Sequence, residues 1–200
     1  MSSQGDSQPS QDSVLTAIVE DRREVIYFAY GSNLSTEQMR HRCPYSLPIG
    51  LGHLEGWGWI INARGYANIV RLSDLPSQDT GREQPAPVVS AEGGVYGLLY
   101  LVPPSDEEKL DGYEGVPWAY GKEHLSVRRV RDDRGRRLEG EEAGMVTALV
   151  YVDSQRVEGA VPVEEYVGRM EKGIGEAVGD WGLDGGYAEG LRRWLGESKV

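Results

Sequence analysis

The chain has 200 residues and a formal net charge of −11, with 39% hydrophobic and 26% charged side chains. That length suits one domain with a core of its own, and the mixture is globular rather than disordered. The negative balance argues against nucleic acid and anionic membranes as partners, because both need a basic footprint.

Three histidines and one cysteine exclude little-disguised chemistry of other kinds. His41, His53 and His124 show no metal-ligand spacing, so neither a metal nor another cofactor is expected. Cys43 cannot form an internal disulfide and has no base beside it, which reads as a structural thiol in a reducing, cytoplasmic setting. No stretch approaches the ~20 apolar residues of a membrane span.

Residues 1–21 are polar and Ser/Gln-rich and read as a disordered extension; Ser13 to Glu20 could be a short helix or strand. Residues 22–200 read as a single domain. Val25 to Tyr30 is a strand that runs into Gly31-Ser32-Asn33. Ser35, with Gln38 three residues on, signals a capping box that opens a helix to Arg42. Short strands are expected at Ser46 to His53, Trp57 to Asn62, Tyr66 to Leu72 and Val88 to Ser90, with a surface loop over 73–87. Gly94 to Val102 is apolar nearly throughout and reads as a central strand.

Ser105 is expected to cap a short helix ending at Leu110, after which Asp111 to Pro117 breaks regularity. His124 to Val130 and Thr147 to Asp153 form a hairpin around an Arg/Asp/Gly-rich tip. Two helices close the chain. Val163 to Val178 places Tyr166, Val167, Met170, Ile174 and Val178 at helical spacing, and Tyr187 to Leu195 follows. The fold class is therefore α+β, a small, mainly antiparallel, barrel-like mixed sheet with flanking helices.

Two places could carry chemistry. A strand that stops at Gly31-Ser32-Asn33 and turns into a helix directs backbone N–H groups into open space, where they suit an anion. An ordinary strand–turn–helix junction has the same pattern. Glu114 lies among Tyr113, Gly115, Val116, Pro117 and Trp118, where a carboxyl would be desolvated and its pKa raised toward neutrality. An exposed loop glutamate fits that composition too. If the strands before these two places are neighbours, the turn and the acid share one pocket. No Ser–His or Cys–His pair and no phosphate-binding glycine motif competes.

The blocks Tyr27-Phe-Ala-Tyr-Gly-Ser-Asn-Leu34, Val95-Tyr-Gly-Leu-Leu-Tyr100 and Leu110-Asp-Gly-Tyr-Glu-Gly-Val116 together resemble the γ-glutamylcyclotransferase family, over about residues 25 to 196. The resemblance implies an enzyme that closes a γ-glutamyl group to 5-oxoproline and releases the amine it carried. The substrate's own α-amine attacks its γ-carbonyl, so no protein nucleophile or metal is needed. Carried over, Glu114 is the general acid/base. Tyr27, Phe28, Ala29, Tyr30, Gly31 and Ser32 match the substrate-binding loop, with the Gly31 and Ser32 amides holding substrate oxygens.

Tyr151 matches a tyrosine at the substrate, and Asn33, Tyr120 and Tyr166 fall near the pocket. Tyr-Gly-Ser-Asn resembles the branch acting on γ-glutamyl amino acids. Loop 73–87 and Tyr113 are where leaving-group specificity would be set. Trimming of a glutathione-derived intermediate in a biosynthetic pathway and a catalytically silent binding module of the same fold are the alternatives. The expected partner is a small γ-glutamyl compound, and a homodimer is left open.

Overall fold

The computed structural model describes residues 24–75 and 85–196. The expectations for residues 1–21, including Ser13 to Glu20, lie outside these, as does most of loop 73–87. Seven strands are described: β1 Val25–Ala29, β2 Leu47–Glu55, β3 Trp57–Ile61, β4 Ala67–Arg71, β5 Gly94–Val102, β6 Gly121–Arg131 and β7 Met145–Val152. Four α-helices accompany them: α1 Thr36–Arg42, α2 Pro104–Glu114, α3 Glu164–Trp181 and α4 Gly185–Gly196. None is long and apolar enough to cross a membrane.

Five strands close into a mixed barrel in the order β1-β5-β2-β6-β7. Every pairing is antiparallel except the closing one, where β1 meets β7 in parallel at Tyr27 and Leu149. The nearly unbroken apolar run of β5 fits its place between β1 and β2, where side chains are buried on both faces. Phe28, Leu51, Leu98, Leu99, Val127 and Leu149 belong to one continuous core.

Strands β3 and β4 do not join the barrel. They form a separate antiparallel pair, anchored by Trp59, whose Nε1 donates to the Tyr30 carbonyl (3.1 Å) and whose ring meets Trp194 edge-on. Asn68 ties this pair to the end of β7 through a reciprocal bond. Its amide donates to the Asp153 carbonyl (2.9 Å), and its carbonyl accepts from the Asp153 amide (3.0 Å). The β3–β4 turn is thereby held beside the barrel mouth. The strand expected at Val88 to Ser90 reduces to one bridge between Trp59 and Val88.

Helix α2 differs most from expectation. It starts at Pro104, with Pro103 rather than Ser105 in the capping position, and continues through Asp111 to Glu114. Proline suits the first helical turn because its missing N–H would have no partner there. Gly115 ends the helix in the left-handed conformation (φ 66°) that glycine adopts without penalty. Asp106 does not serve the helix N-terminus, since it turns away to accept from the Tyr45 amide and the Ser46 hydroxyl. On α3 the buried face is Tyr166, Met170, Gly173, Ile174, Ala177 and Trp181, while Val178 faces out.

The length of α2 has a topological effect. Strands β1 and β5 are antiparallel neighbours, with Ala29 opposite Leu98 and Val25 opposite Val102. The chain therefore leaves β5 at the end of the barrel opposite the Gly31–Asn33 turn. Eleven helical residues, about 16 Å at 1.5 Å per residue, carry it back along the strand and deliver Glu114 to that turn.

Candidate active site

A cavity of about 220 Å³ opens where the Tyr30–Asn33 turn, the C-terminus of α2, the β3–β4 turn and the start of α3 converge. Tyr27, Tyr30, Gly31, Ser32, Asn33, Glu114, Tyr120, Tyr151 and Tyr166 line it. Phe28 and Ala29 do not. Neighbours on β1, they point to opposite faces of the strand, and both are fully buried in the core.

The turn that forms one wall is held from three sides. After Ala29 the chain makes a short 3-10 turn, Ser32–Leu34, closed by the Leu34 amide on the Gly31 carbonyl. Ser35 then caps α1, accepting from the Gln38 amide at 3.1 Å. The reciprocal half of the expected capping box is missing. The Gln38 side chain instead donates to Ser32 Oγ (2.8 Å) and Asn33 Oδ1 (2.9 Å), bracing the turn. Glu176 of α3 completes the cap, accepting from the Ser35 hydroxyl (2.6 Å), the Thr36 amide (2.8 Å) and the Thr36 hydroxyl (2.9 Å). Burial alone would raise the Glu176 pKa, but these hydrogen bonds outweigh it and hold the carboxyl below its usual range.

Glu114 faces Asn33, whose side-chain amide lies 3.4 Å from Glu114 Oε1 and also donates to Tyr27 Oη at 3.1 Å. The glutamate is half-buried, the exposed part turned toward the cavity. Desolvation pushes its pKa up to about 7 against the pull of Arg42, Arg64 and Arg169. A carboxyl poised there exchanges a proton readily near neutral pH. The residue ends a helix rather than sitting in a loop, and its sequence neighbours do not enclose it, since Tyr113 and Trp118 are exposed; the cavity walls from other elements do.

The tyrosines have distinct tasks. The Tyr30 hydroxyl donates to the Tyr151 carbonyl (2.5 Å), Tyr120 to the Ala67 carbonyl (2.8 Å) and Tyr151 to Asp111 Oδ1 (2.7 Å). Tyr166 is different, because its oxygen accepts from the Ser32 amide at 3.2 Å. The Ser32 N–H, expected to face a ligand, is therefore engaged. Its place is taken by the Tyr166 hydroxyl, whose own proton is left to donate into the cavity. Burial raises the pKa of Tyr27, Tyr120, Tyr151 and Tyr166 alike, so all four stay neutral.

Gly31 is required by proximity rather than by strain. A Cβ there would stand 2.9 Å from Tyr166 Oη.

Three arginines at the cavity escaped the sequence reading. Arg42 ends α1, donates to Asn33 Oδ1 (3.1 Å) and stacks on Tyr113 (4.8 Å). Arg169 pairs with Glu165 and lies over the Tyr166 ring. Arg64, in the β3–β4 turn, lies 5.3 Å from the Tyr120 ring and 5.6 Å from that of Tyr66. No motif marks them, and only the fold brings them together. Cys43 is buried, donates to the Asp106 carbonyl and has its thiol pushed up to about 12 by burial, as a structural thiol would. Among the described residues no group of His, Cys, Asp and Glu could hold a metal ion.

Solved structures share this fold. An uncharacterized protein from Homo sapiens is 22% identical over 85% of this chain and 87% of its own, with a TM-score of 0.61. A protein described as gamma-glutamyl cyclotransferase is 23% identical over 84% and 86%, also at 0.61. YkqA from Bacillus subtilis is 19% identical over 90% of this chain but only 57% of its own, again at 0.61. No curated protein matches the chain. The model of the family described as "Gamma-glutamyl cyclotransferase, AIG2-like" matches residues 27–167, which include the Tyr30–Asn33 turn, Glu114 and Tyr166, and the chain belongs to that family.

Proposed function

We propose that the protein is a γ-glutamylcyclotransferase that converts a γ-glutamyl amino acid to 5-oxoproline and the free amino acid. The observation that carries this reading is Glu114, a desolvated carboxyl with a pKa near 7, facing the Tyr30–Asn33 turn across one cavity. In the reaction Glu114 accepts a proton from the substrate's α-ammonium. The freed amine attacks the γ-carbonyl carbon, closing the ring and placing negative charge on the carbonyl oxygen. Collapse of that adduct breaks the γ-carbon–nitrogen bond as Glu114 gives its proton to the departing nitrogen, and the freed carboxylate takes the second proton from the ring nitrogen, leaving the neutral lactam.

The reacting groups belong to one molecule, so the protein's task is orientation. Asn33 faces the Glu114 carboxyl and is itself held by Tyr27, and the Tyr166 hydroxyl is a donor for the developing oxyanion. A silent binding module would gain nothing from burying an acid without a paired cation. Incubation with a panel of γ-glutamyl dipeptides, γ-glutamyl amines and glutathione tests the reading. Release of 5-oxoproline from the dipeptides is expected, and no turnover of any member would sink it.

A further inference from the structure

The arginines at the cavity differ in what they already hold. Arg169 is engaged in a bidentate pair with Glu165 (3.1 and 3.0 Å). Arg42 is bound to Asn33 Oδ1, and Asn33 in turn reaches Glu114. The Arg64 guanidinium lies against the Tyr66 and Tyr120 rings, and its Nη1 is buried with no hydrogen-bond partner among the described residues. Buried donors are almost always satisfied, and a charged one more so. Its position is also rigid. Gly65 closes the turn onto Asn62, the Val163 amide donates to the Gly65 carbonyl, and Asn62 donates to Asp153.

Resting on the cyclotransferase reading, we propose that Arg64 is the receptor for a carboxylate on the leaving group, and so selects γ-glutamyl amino acids and peptides over γ-glutamyl amines. The two carboxylates of such a substrate divide between two walls. The glutamyl α-carboxylate shares a carbon with the α-amine, and that amine must reach Glu114. It therefore lies on the Glu114–Asn33 side, where Arg42 stands. The departing nitrogen stays within reach of Glu114, which protonates it, and the group that this nitrogen carries extends beyond, toward the β3–β4 turn. Arg64 borders the cavity, so a carboxylate there meets the part of the planar guanidinium that is open to it, and turning of that group onto a two-point contact brings Nη1 out of its unpartnered, enclosed position.

The test compares γ-glutamyl-alanine, γ-glutamyl-alanyl-glycine and γ-glutamyl-ethylamide, which lacks the leaving-group carboxylate. Arg64→Gln should lower the kcat/KM ratio of an acid substrate to the ethylamide by about ten- to hundredfold, mostly through KM. Arg64→Lys should recover part of it. Any change Arg64→Gln makes to the Glu114 pKa acts on all three compounds and cancels in the ratio. Dependence of either acid substrate on Arg64 supports the assignment, and tells how far the carboxylate lies from the scissile nitrogen. An unchanged ratio for both overturns it, whether or not overall rates fall.

Calorimetry on Glu114→Gln protein reads the same preference without turnover. Tighter binding of an acid substrate than of the ethylamide, erased by Arg64→Gln, would uphold Arg64 even if the wild-type protein turned over none of the three. Equal affinities, or no binding of any, would refute it.

Discussion

At Glu114 two influences oppose each other. Burial favours the neutral acid, and Arg42, Arg64 and Arg169 favour the carboxylate, leaving a pKa of about 7. Since the carboxylate is the form that removes the substrate's proton, kcat/KM should fall as pH drops through 7. Arg42→Gln takes away the largest of the three pulls, so the inflection of that acidic limb should move to higher pH. A limb that does not move would show that Arg42 is not coupled to the reacting carboxyl.

The raised pKa also makes a stability prediction. Below pH 4.5 the folded and unfolded forms are both protonated at this residue, and it costs nothing. Between 4.5 and 7 the unfolded chain releases the proton and the folded one keeps it, so the penalty grows with pH and then levels off. The full shift, discounted for the part of the carboxyl facing the cavity, is on the order of 2 kcal/mol. Thermal unfolding at pH 7.5 should find Glu114→Gln more stable than wild type, with the gap closing near pH 4.5. Glu114 could be singled out in sequence by the family blocks, but its desolvation was not legible from its neighbours, because Tyr113 and Trp118 are exposed and the groups that enclose it come from other elements. The arginines were not legible, because Arg42 and Arg64 stand on elements that only the tertiary fold brings to the same cavity.

Among the elements, the junction of the Ser32–Leu34 turn, α1 and α3 matters most. Glu176 caps α1 from another helix, and Gly173 allows α3 to approach so closely that a Cβ would lie 3.0 Å from the Ser35 amide nitrogen. Glu176→Ala should cost about 1–2 kcal/mol of stability, the usual loss for a helix cap. The wild-type contribution is present above the ordinary carboxylate range and lost as pH falls through the lowered pKa. Equal stability of the two proteins at pH 7 would refute the capping role.

Gly173→Val should overpack the same contact, lowering stability by about 1–3 kcal/mol. It should also lower activity by shifting Ser32 and Asn33. Ser35 was readable as a cap because its signal is local. Glu176 was not, since it acts from a helix more than a hundred residues later. Helix α2 was read short because Gly112 and Gly115 resemble a breaking sequence, yet only Gly115 ends the helix.

The whole molecule sets a strongly negative background, −11 overall, around a cavity edged by three arginines. A substrate with two carboxylates is drawn to that edge by charges that salt screens, with a Debye length of about 8 Å at physiological ionic strength. KM for γ-glutamyl-alanine should therefore rise between low and high salt more than KM for γ-glutamyl-ethylamide does. The barrel-like sheet could be read from short alternating runs, although one of the expected strands, Val88 to Ser90, is only a bridge. The separation of β3 and β4 from the barrel could not, because pairing depends on Trp59, Asn68 and Asp153 meeting across the fold. That separation is what places Arg64 opposite Glu114. If Glu114 moves the proton in ring closure, turnover depends on its carboxyl. Release of 5-oxoproline from γ-glutamyl-alanine by wild-type and Glu114→Gln protein at pH 7.5, with near-ultraviolet circular dichroism to verify the fold, tests it most directly. The wild type should turn over and the folded variant should lose at least about a hundredfold; a folded variant that keeps wild-type turnover would mean that another group moves the proton.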